Sequence, residues 1–274
     1  MSEYQFVDFW AVDDAVSDKN LKYMRKQSTR AEISKWRFSN EYLYGDFRGN
    51  AAEMLRRGYD AHLHFANFGV RKVMFRLPRG LPYDKRAFSK YAIGDCLTWD
   101  RDKQGTGGVL TIYPEADADT YDYLDDVEAF LERLLPLREA LIGGDLRPLF
   151  LAWLACCYDE DAKVPPIPDG LNELTQPLES LAEFFEIPEA LIQAAAVDSS
   201  PAPATLDMIK LIRDWVADQS KADLQKLVTA SLTNNSAAAR AKIIAEIRNA
   251  QTTLQWPTTN STATFGGLRS SAGV

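Results

Sequence analysis

The stretch DAHLHFANFGVRKVMFRLPRG, residues 60–80, decides how the first half of the chain folds. AHLHFANF and VRKVMFRLP are rich in β-forming residues and flank Gly69, so they predict two strands of a hairpin. Alternate residues of a strand point to opposite faces. The parity expected to face the core carries Leu63, Phe65, Val73, Phe75 and Leu77. The opposite parity carries Asp60, His62, His64, Lys72 and Arg76.

Further strands are predicted on both sides of this hairpin. YQFVDFWAV (4–12) is aromatic and β-rich, and CLTWDRDKQGTGGVLTIYP (96–114) resembles a second hairpin. ISKWRFSNEYLY (33–44) alternates, and the parity expected to be buried carries Trp36, Phe38, Tyr42 and Tyr44. From Thr120 the apolar period becomes helical. The predicted fold class is therefore α+β, with an N-terminal antiparallel sheet and helices, followed by an all-helical domain.

The predicted organisation has five parts. Residues 1–114 form the sheet domain, 115–197 a helical domain, 198–205 a linker and 206–252 a helical C-terminal region. Ser17 and Asn50 are expected to cap helices, and Pro136 to end one helix or to begin the next. The last segment, 253–274, has little to bury and is expected to be disordered.

Charge is strongly segregated along the chain. The formal net charge is −8, but residues 19–90 carry 17 Lys and Arg against six Asp and Glu. Either the basic part meets an anionic partner, or the acidic helical half docks on it within the chain. By parity and proximity the candidate binding face comprises Lys35, Arg37, Arg56, Arg57, Lys72 and Arg76. We expect Lys35, Arg37, Lys72 and Arg76 to lie on one face of the sheet.

The only two histidines of the chain, His62 and His64, raise the question of metal binding or acid–base chemistry. With Asp60 they could supply three ligands, but a structural zinc site needs about four. The cations at both ends of this strand disfavour a divalent metal. We therefore predict no metal, no cofactor and no catalytic residue, and we interpret both histidines as part of a strand.

Other sequence patterns of catalysis and DNA binding are missing or incomplete. The chain has no glycine-rich phosphate loop and no nucleophile elbow, and Cys156 and Cys157 lie in a strongly apolar segment. Residues 176–197 resemble a helix-turn-helix, with Glu186 where a turn glycine is usual. No Lys or Arg occurs between Lys163 and Lys210, so this segment is predicted to pack on protein and not to bind DNA.

Three segments of the sequence carry a family resemblance. They are TRAEISKWRFSNEYLYGDFRGN (29–50), DAHLHFANFGVRKVMFRLPRG (60–80) and LLPLREALIGGDLRPLFLAWL (134–154). With the opening MSEYQ they resemble a widespread bacterial family of cytoplasmic proteins that has no established activity. That resemblance implies no functional residues, and members of the family usually have Tyr at the position of His64.

These observations favour a non-catalytic binding or adaptor protein that acts through protein–protein contacts. The first alternative is nucleic-acid binding through the basic face of residues 19–90, and the second is an enzyme that uses His62 or His64. We expect a protein partner, with nucleic acid as second choice, and no membrane, because no apolar run approaches about 18 residues. The N-terminus lacks a secretory pattern, which predicts a cytoplasmic location.

Overall fold

Seven strands pair into one antiparallel sheet in the computed structural model of the protein. They are β1 (Gln5–Trp10), β2 (Glu32–Ile33), β3 (Arg37–Tyr42), β4 (Ala61–Ala66), β5 (Val70–Pro78), β6 (Leu97–Arg101) and β7 (Gly107–Ile112). Their order across the sheet is β2-β3-β1-β4-β5-β7-β6. The structure describes residues 3–78, 81, 85–103, 107–115, 124–202, 208–232, 239–240, 243–244, 246–247 and 258–274.

Helices lie between the strands and then dominate the rest of the chain. They are α1 (Asp18–Met24), α2 (Ala51–Arg56), α3 (Lys85–Ser89), α4 (Val127–Ile142), α5 (Arg147–Cys156), α6 (Gln176–Phe184), α7 (Glu189–Ala196), α8 (Met208–Ala217), α9 (Lys221–Ser231) and α10 (Phe265–Ala272). Two short strands, β8 (Ile167–Pro168) and β9 (Thr258–Thr259), form a separate ribbon. The predicted α+β class is confirmed.

Local chemistry explains where several elements begin and turn. The Ser17 side chain accepts from the backbone N–H of Asn20 at the start of α1, and Asn50 accepts from Glu53 at the start of α2. Both arrangements satisfy N–H groups that a helix cannot satisfy internally. Gly69 has a φ of 93° in the turn between β4 and β5, a conformation that glycine adopts without steric cost.

One face of the sheet, the α4 face, packs against the helical half. Its strand residues on the predicted core parity are buried together with Phe130, Leu134 and Leu141 of α4. Helices α5 and α6 stack in turn on α4, and α10 packs on α7. A single apolar cluster therefore runs from the sheet into the helices, so no separate cores meet near residue 114.

The opposite face of the sheet, the α1 face, is also buried. Val7 and Phe9 of β1 and Phe38 of β3 pack there against Leu21 and Met24 of α1. Met54 and Leu55 of α2, and the ring of Phe47, complete this smaller core. The sheet is thus covered on both sides, and its polar residues on the α1 face lie under helices and loops.

Two expectations about the helical half are wrong. Helix α4 continues through Pro136, because Val127–Ile142 is one helix whose apolar face lies on the sheet. Residues 258–274, expected to be disordered, form β9 and α10, and Phe265 and Leu268 of α10 are buried. Phe265 reaches the Trp153 ring of α5 at 5.6 Å between centroids, so this segment does have apolar surface to bury. Most of residues 233–252, the end of the predicted helical C-terminal region, lies outside the described residues.

Candidate functional site

The six cations of the predicted basic face do not share one surface. Phe9 pairs with Phe38 on one side and with His62 on the other, so these three side chains lie on the α1 face. The neighbouring Arg37 therefore points to the α4 face, where it bonds Asp8. Strand pairing between β4 and β5 places Lys72 opposite His64, on the α1 face. The expectation that Lys35, Arg37, Lys72 and Arg76 share a face is wrong.

Carboxylates of the same chain neutralise five of these six cations. Arg56 pairs with Asp100 and Asp102, and Arg76 pairs with Asp102. The other pairs are Lys35–Asp18 at 2.8 Å, Arg37–Asp8 at 2.9 Å and Arg57–Glu53 at 2.7 Å. Because these cations are already paired, they are less available to bind the phosphate groups of a nucleic acid.

The sixth cation, Lys72, is half-buried against an aromatic ring. Its ammonium group lies 5.1 Å from the centre of the Tyr113 ring. Burial lowers the pKa of Lys72, because a half-buried ammonium group loses part of its hydration. The predicted face is therefore an internal network and not an open binding surface.

Both histidines belong to the core of the α1 face. His62 is buried, its Nδ1 lies 2.9 Å from the backbone oxygen of Asp8, and its ring stacks on Phe9 at 3.9 Å between centroids. The Nε2 of His64 lies 3.0 Å from the side-chain oxygen of Gln5. Burial places the pKa of His62 well below its usual value and lowers that of His64 to about 4. Both rings are neutral at pH 7.

Asp60 takes part in a different network from the two histidines. Its carboxylate accepts hydrogen bonds from the backbone N–H groups of Val12 and Asp13, at 2.7 and 3.1 Å. Its other oxygen lies 3.4 Å from the guanidinium of Arg138. Among the described residues, no group of three or more His, Cys, Asp or Glu side chains is arranged to hold a metal ion.

The buried guanidinium of Arg138 joins α4 to the sheet. Only 1% of this residue is exposed, and its Nε donates to the backbone oxygen of Arg76 at 2.8 Å. It also pairs with Asp13, Asp60 and Glu139. Sequence reasoning missed this contact, because an arginine one position after Leu137 in an apolar helix gives no sign of its distant partners.

Cys156 and Cys157 are poor candidates for nucleophiles. Both are buried at the end of α5, and burial raises the pKa of Cys156 to about 12 and that of Cys157 to about 11. A thiol needs to ionise before it can attack a substrate. These two groups are therefore neutral thiols at physiological pH.

An open groove lies along α6 and α7, on the segment that resembles a helix-turn-helix. Its volume is about 910 Å³. The groove has an apolar lining formed by Leu171, Leu174, Ala182, Ile187, Ile192, Ala196 and Val197. Val197 is 83% exposed at one end, while Ile187 and Ile192 are buried at the floor.

Glutamates surround the groove. Glu179, Glu183, Glu186 and Glu189 all line it and are exposed. Glu183 pairs with Arg133 at 3.3 Å, and Glu186 pairs with Arg71 of β5 at 2.7 Å. Glu189 accepts a hydrogen bond only from the Gln193 amide in the described contacts. The rim thus remains negative, with Glu179 and Glu189 as its least neutralised charges.

The turn between α6 and α7 contains a left-handed residue at the position where a helix-turn-helix usually has glycine. Glu186 has a φ of 52°, the left-handed conformation that the usual turn glycine adopts. The backbone N–H of Ile187 returns to the oxygen of Ala182 at 2.9 Å. One feature of the sequence could have indicated this site. The helix pair carries acidic residues among its apolar ones and has no Lys or Arg.

Comparisons with protein-family models, with curated proteins and with solved structures find no match to this chain. The resemblance to a bacterial family therefore remains a prediction. Within the described residues, no helix combines the length and the apolar character needed to cross a membrane.

Proposed function

We propose that this chain is a non-catalytic binding or adaptor protein, and that its α6–α7 groove captures an amphipathic helix of a partner protein. The observation that carries this proposal is the groove itself, with an apolar floor of a size suited to ligand binding and a rim of glutamates. Amphipathic helices dock in such grooves through apolar residues at i, i+3, i+4 and i+7.

Charge specifies the chemistry of the partner helix. Four glutamates surround the groove, and no Lys or Arg occurs between residues 163 and 210. A helix with acidic flanks would be repelled, whereas Lys or Arg beside the apolar stripe would be attracted. We therefore propose a partner with a basic amphipathic helix. The three free cysteines and the family resemblance agree with a bacterial cytoplasmic setting.

The experiment uses two designed peptides and the full chain. One peptide is an amphipathic helix with a leucine stripe and lysine flanks, and its matched control has glutamate at every lysine position. We expect fluorescence anisotropy to detect binding of the lysine peptide alone. The double variant Glu179→Lys with Glu189→Lys should reverse this preference. Ala182→Arg should abolish binding of the lysine peptide, because the new side chain fills the groove and repels lysine.

Two kinds of outcome would contradict the proposal. Equal binding of the two peptides, or binding that Ala182→Arg leaves unchanged, would mean that the groove does not select a basic helix. The other is self-association. Helix α8 exposes Ile209, Ile212 and Val216 and carries Lys210 and Arg213. A dimer of the full chain that Ile209→Glu with Ile212→Glu disrupts would assign the groove to a second copy.

A further inference from the structure

The cations of residues 19–78 divide into two groups. Those on the sheet and at the end of α2 are paired or half-buried, as described above. A second group is exposed and makes no ion pair among the described residues. We call it the α1 patch, and it consists of Lys19, Lys22, Arg25, Lys26, Arg30 and Arg48.

Helix α1 and its continuation hold most of this patch in a short span. Lys19 and Lys22 are one turn apart on α1, and Arg25 and Lys26 follow its last residue directly. The Ser28 hydroxyl accepts from the backbone N–H of Arg30 at 3.2 Å, in a tight turn that returns the chain to β2. Five cations therefore lie within twelve consecutive residues.

The sixth cation is brought to them by a tertiary contact. The backbone N–H of Asn50 donates to the side-chain oxygen of Gln27 at 3.2 Å. A Cβ on Gly49 would lie 3.2 Å from the Cβ of Gln27, which shows how closely this loop approaches the end of α1. Arg48 precedes Gly49 and Lys26 precedes Gln27, so the contact between Gly49 and Gln27 brings the two cationic segments together.

Acidic residues near the patch are mostly occupied. Lys35 binds Asp18, and Arg57 binds Glu53 while its guanidinium covers the Tyr23 ring at 4.2 Å. Glu32 of β2 and Asp46, two residues before Arg48, are exposed and reduce the local charge by two. The surface therefore stays strongly positive on a protein whose formal net charge is −8.

Exposed aromatic rings flank β3. This strand pairs with β2, which follows Arg30 of the patch. Trp36 precedes β3 and is 53% exposed, and Tyr44 follows it and is 81% exposed. The expectation that both rings would be buried with Phe38 and Tyr42 is wrong, because both lie beyond the ends of the strand. The six residues of β3, a strand about 20 Å long, lie between them, which is the length of several nucleotides.

We propose that the α1 patch binds single-stranded nucleic acid, with phosphates on its cations and bases stacked on Trp36 and Tyr44. Positive charge with exposed aromatic rings is the combination that such strands require. A membrane surface fits less well, because Leu21 and Met24 of α1 are buried in the core and cannot enter a bilayer. This surface is distinct from the α6–α7 groove and does not depend on the function proposed for it.

The test measures binding of the full chain to a fluorescent 12-nucleotide RNA and to the same DNA sequence across a salt series. If four cations contact phosphates, the logarithm of the affinity should fall by about 3 for each tenfold increase in salt. The triple variant Lys22→Glu, Lys26→Glu, Arg30→Glu should lose about 100-fold in affinity at 0.1 M salt. Each lost phosphate contact lowers the logarithm of the affinity by about 0.7 at this salt concentration, which is tenfold below the 1 M reference.

Controls separate the contributions of charge and stacking. Lys221→Glu with Lys226→Glu on α9 reverses two exposed cations outside the patch and should leave the affinity unchanged. Trp36→Ala with Tyr44→Ala should weaken binding by at least about fivefold without changing its salt dependence. Unfolding temperatures of all variants should match the parent chain, because every substituted side chain is exposed.

Three results would overturn the proposal. One is the absence of oligonucleotide binding at low salt. Another is equal binding of polyglutamate, which would show attraction to any anion. The third is binding to vesicles that contain phosphatidylserine, lost in the triple variant, with no binding of RNA or DNA. That result would assign the patch to a membrane surface.

Discussion

The two faces of the central sheet bury very different surfaces. The α4 face is apolar apart from a few paired residues, and it belongs to a cluster that continues through α5, α6 and α7. The α1 face encloses a smaller cluster, in which His62, His64 and Lys72 lie under α1, α2 and Phe47. The difference shows that a polar parity on a strand does not imply an exposed face when most of its polar groups find partners. The amide nitrogen of Asn40 is buried on the α1 face without a hydrogen-bond partner among the described residues.

The largest effect is expected at the contact that fastens α4 to the sheet. Arg138→Ala removes the buried cation from Asp60 and leaves Asp13 with Arg240 alone, so the free energy of unfolding should fall by about 3–5 kcal/mol. Chemical denaturation measures this loss. Arg133→Ala, on the same helix but with an exposed pair, is the matched control and should cost at most about 1 kcal/mol. Similar losses in the two variants would show that Arg138 does not join the two layers.

The next largest change in stability is expected at Phe38, in comparison with Trp36 two residues before it. Phe38 is fully buried, whereas Trp36 is about half exposed. Phe38→Ala should lower the free energy of unfolding by about 3 kcal/mol through lost burial and a cavity. Trp36→Ala should lower it by roughly 0.5 kcal/mol or less. A large loss for Trp36→Ala would mean that both rings are buried and would also remove the stacking surface proposed above.

The smallest change in stability at neutral pH, and the one that depends most strongly on pH, is expected for substitution of His64. Its pKa is lowered to about 4 in the folded state, against about 6.5 when unfolded. The stability that comes from keeping this ring neutral is present above pH 6.5 and is lost as the pH falls towards 4. His64→Tyr should therefore be nearly neutral at pH 7 but should retain roughly 3 kcal/mol more stability than the parent at pH 4.

The comparison of these two chains removes other titrating groups from the result. Burial raises the pKa of Asp8 and of Asp60, which acts in the opposite direction at low pH, but both groups remain in both chains. His62 also remains in both chains, but its pKa is lowered mainly by burial and in part by His64, so it should rise slightly in the variant. Parallel loss of stability in the two chains between pH 6.5 and 4 would mean that His64 is protonated in the folded protein.

Much of the local structure could be predicted from neighbouring residues. Gly69 between two β-rich segments predicted the hairpin, and Ser17 and Asn50 predicted two helix starts, because these signals act within a few residues. The burial of Leu63, Phe65, Val73, Phe75 and Leu77 followed from alternation alone. The lack of Lys and Arg in residues 176–197 predicted that this segment packs on protein and does not bind DNA. It did not predict that the segment forms a groove.

The candidate binding surfaces could not be derived in the same way. Arg37 and Lys72 were expected to share a face because Phe38 and Leu63 were both assigned to one core. The pairing of β3 with β1 and of β1 with β4 shows that Phe38 and Leu63 lie on opposite faces. Ion pairing depends on the same long-range geometry. Asp100 and Asp102 of the β6–β7 hairpin lie more than forty residues after Arg56, and nothing in the local sequence indicates that they neutralise it.

The amino-acid sequence by itself determined the strands, the change from sheet to helices and the segregation of charge, since these depend on short-range periodicity and composition. Tertiary structure alone decided which cations are neutralised and which remain exposed on α1. It also decided that the histidines are core residues and that the final segment packs as a helix. The physical reason is that burial and ion pairing are set by residues distant in the chain, whose meeting depends on strand register and on helix packing.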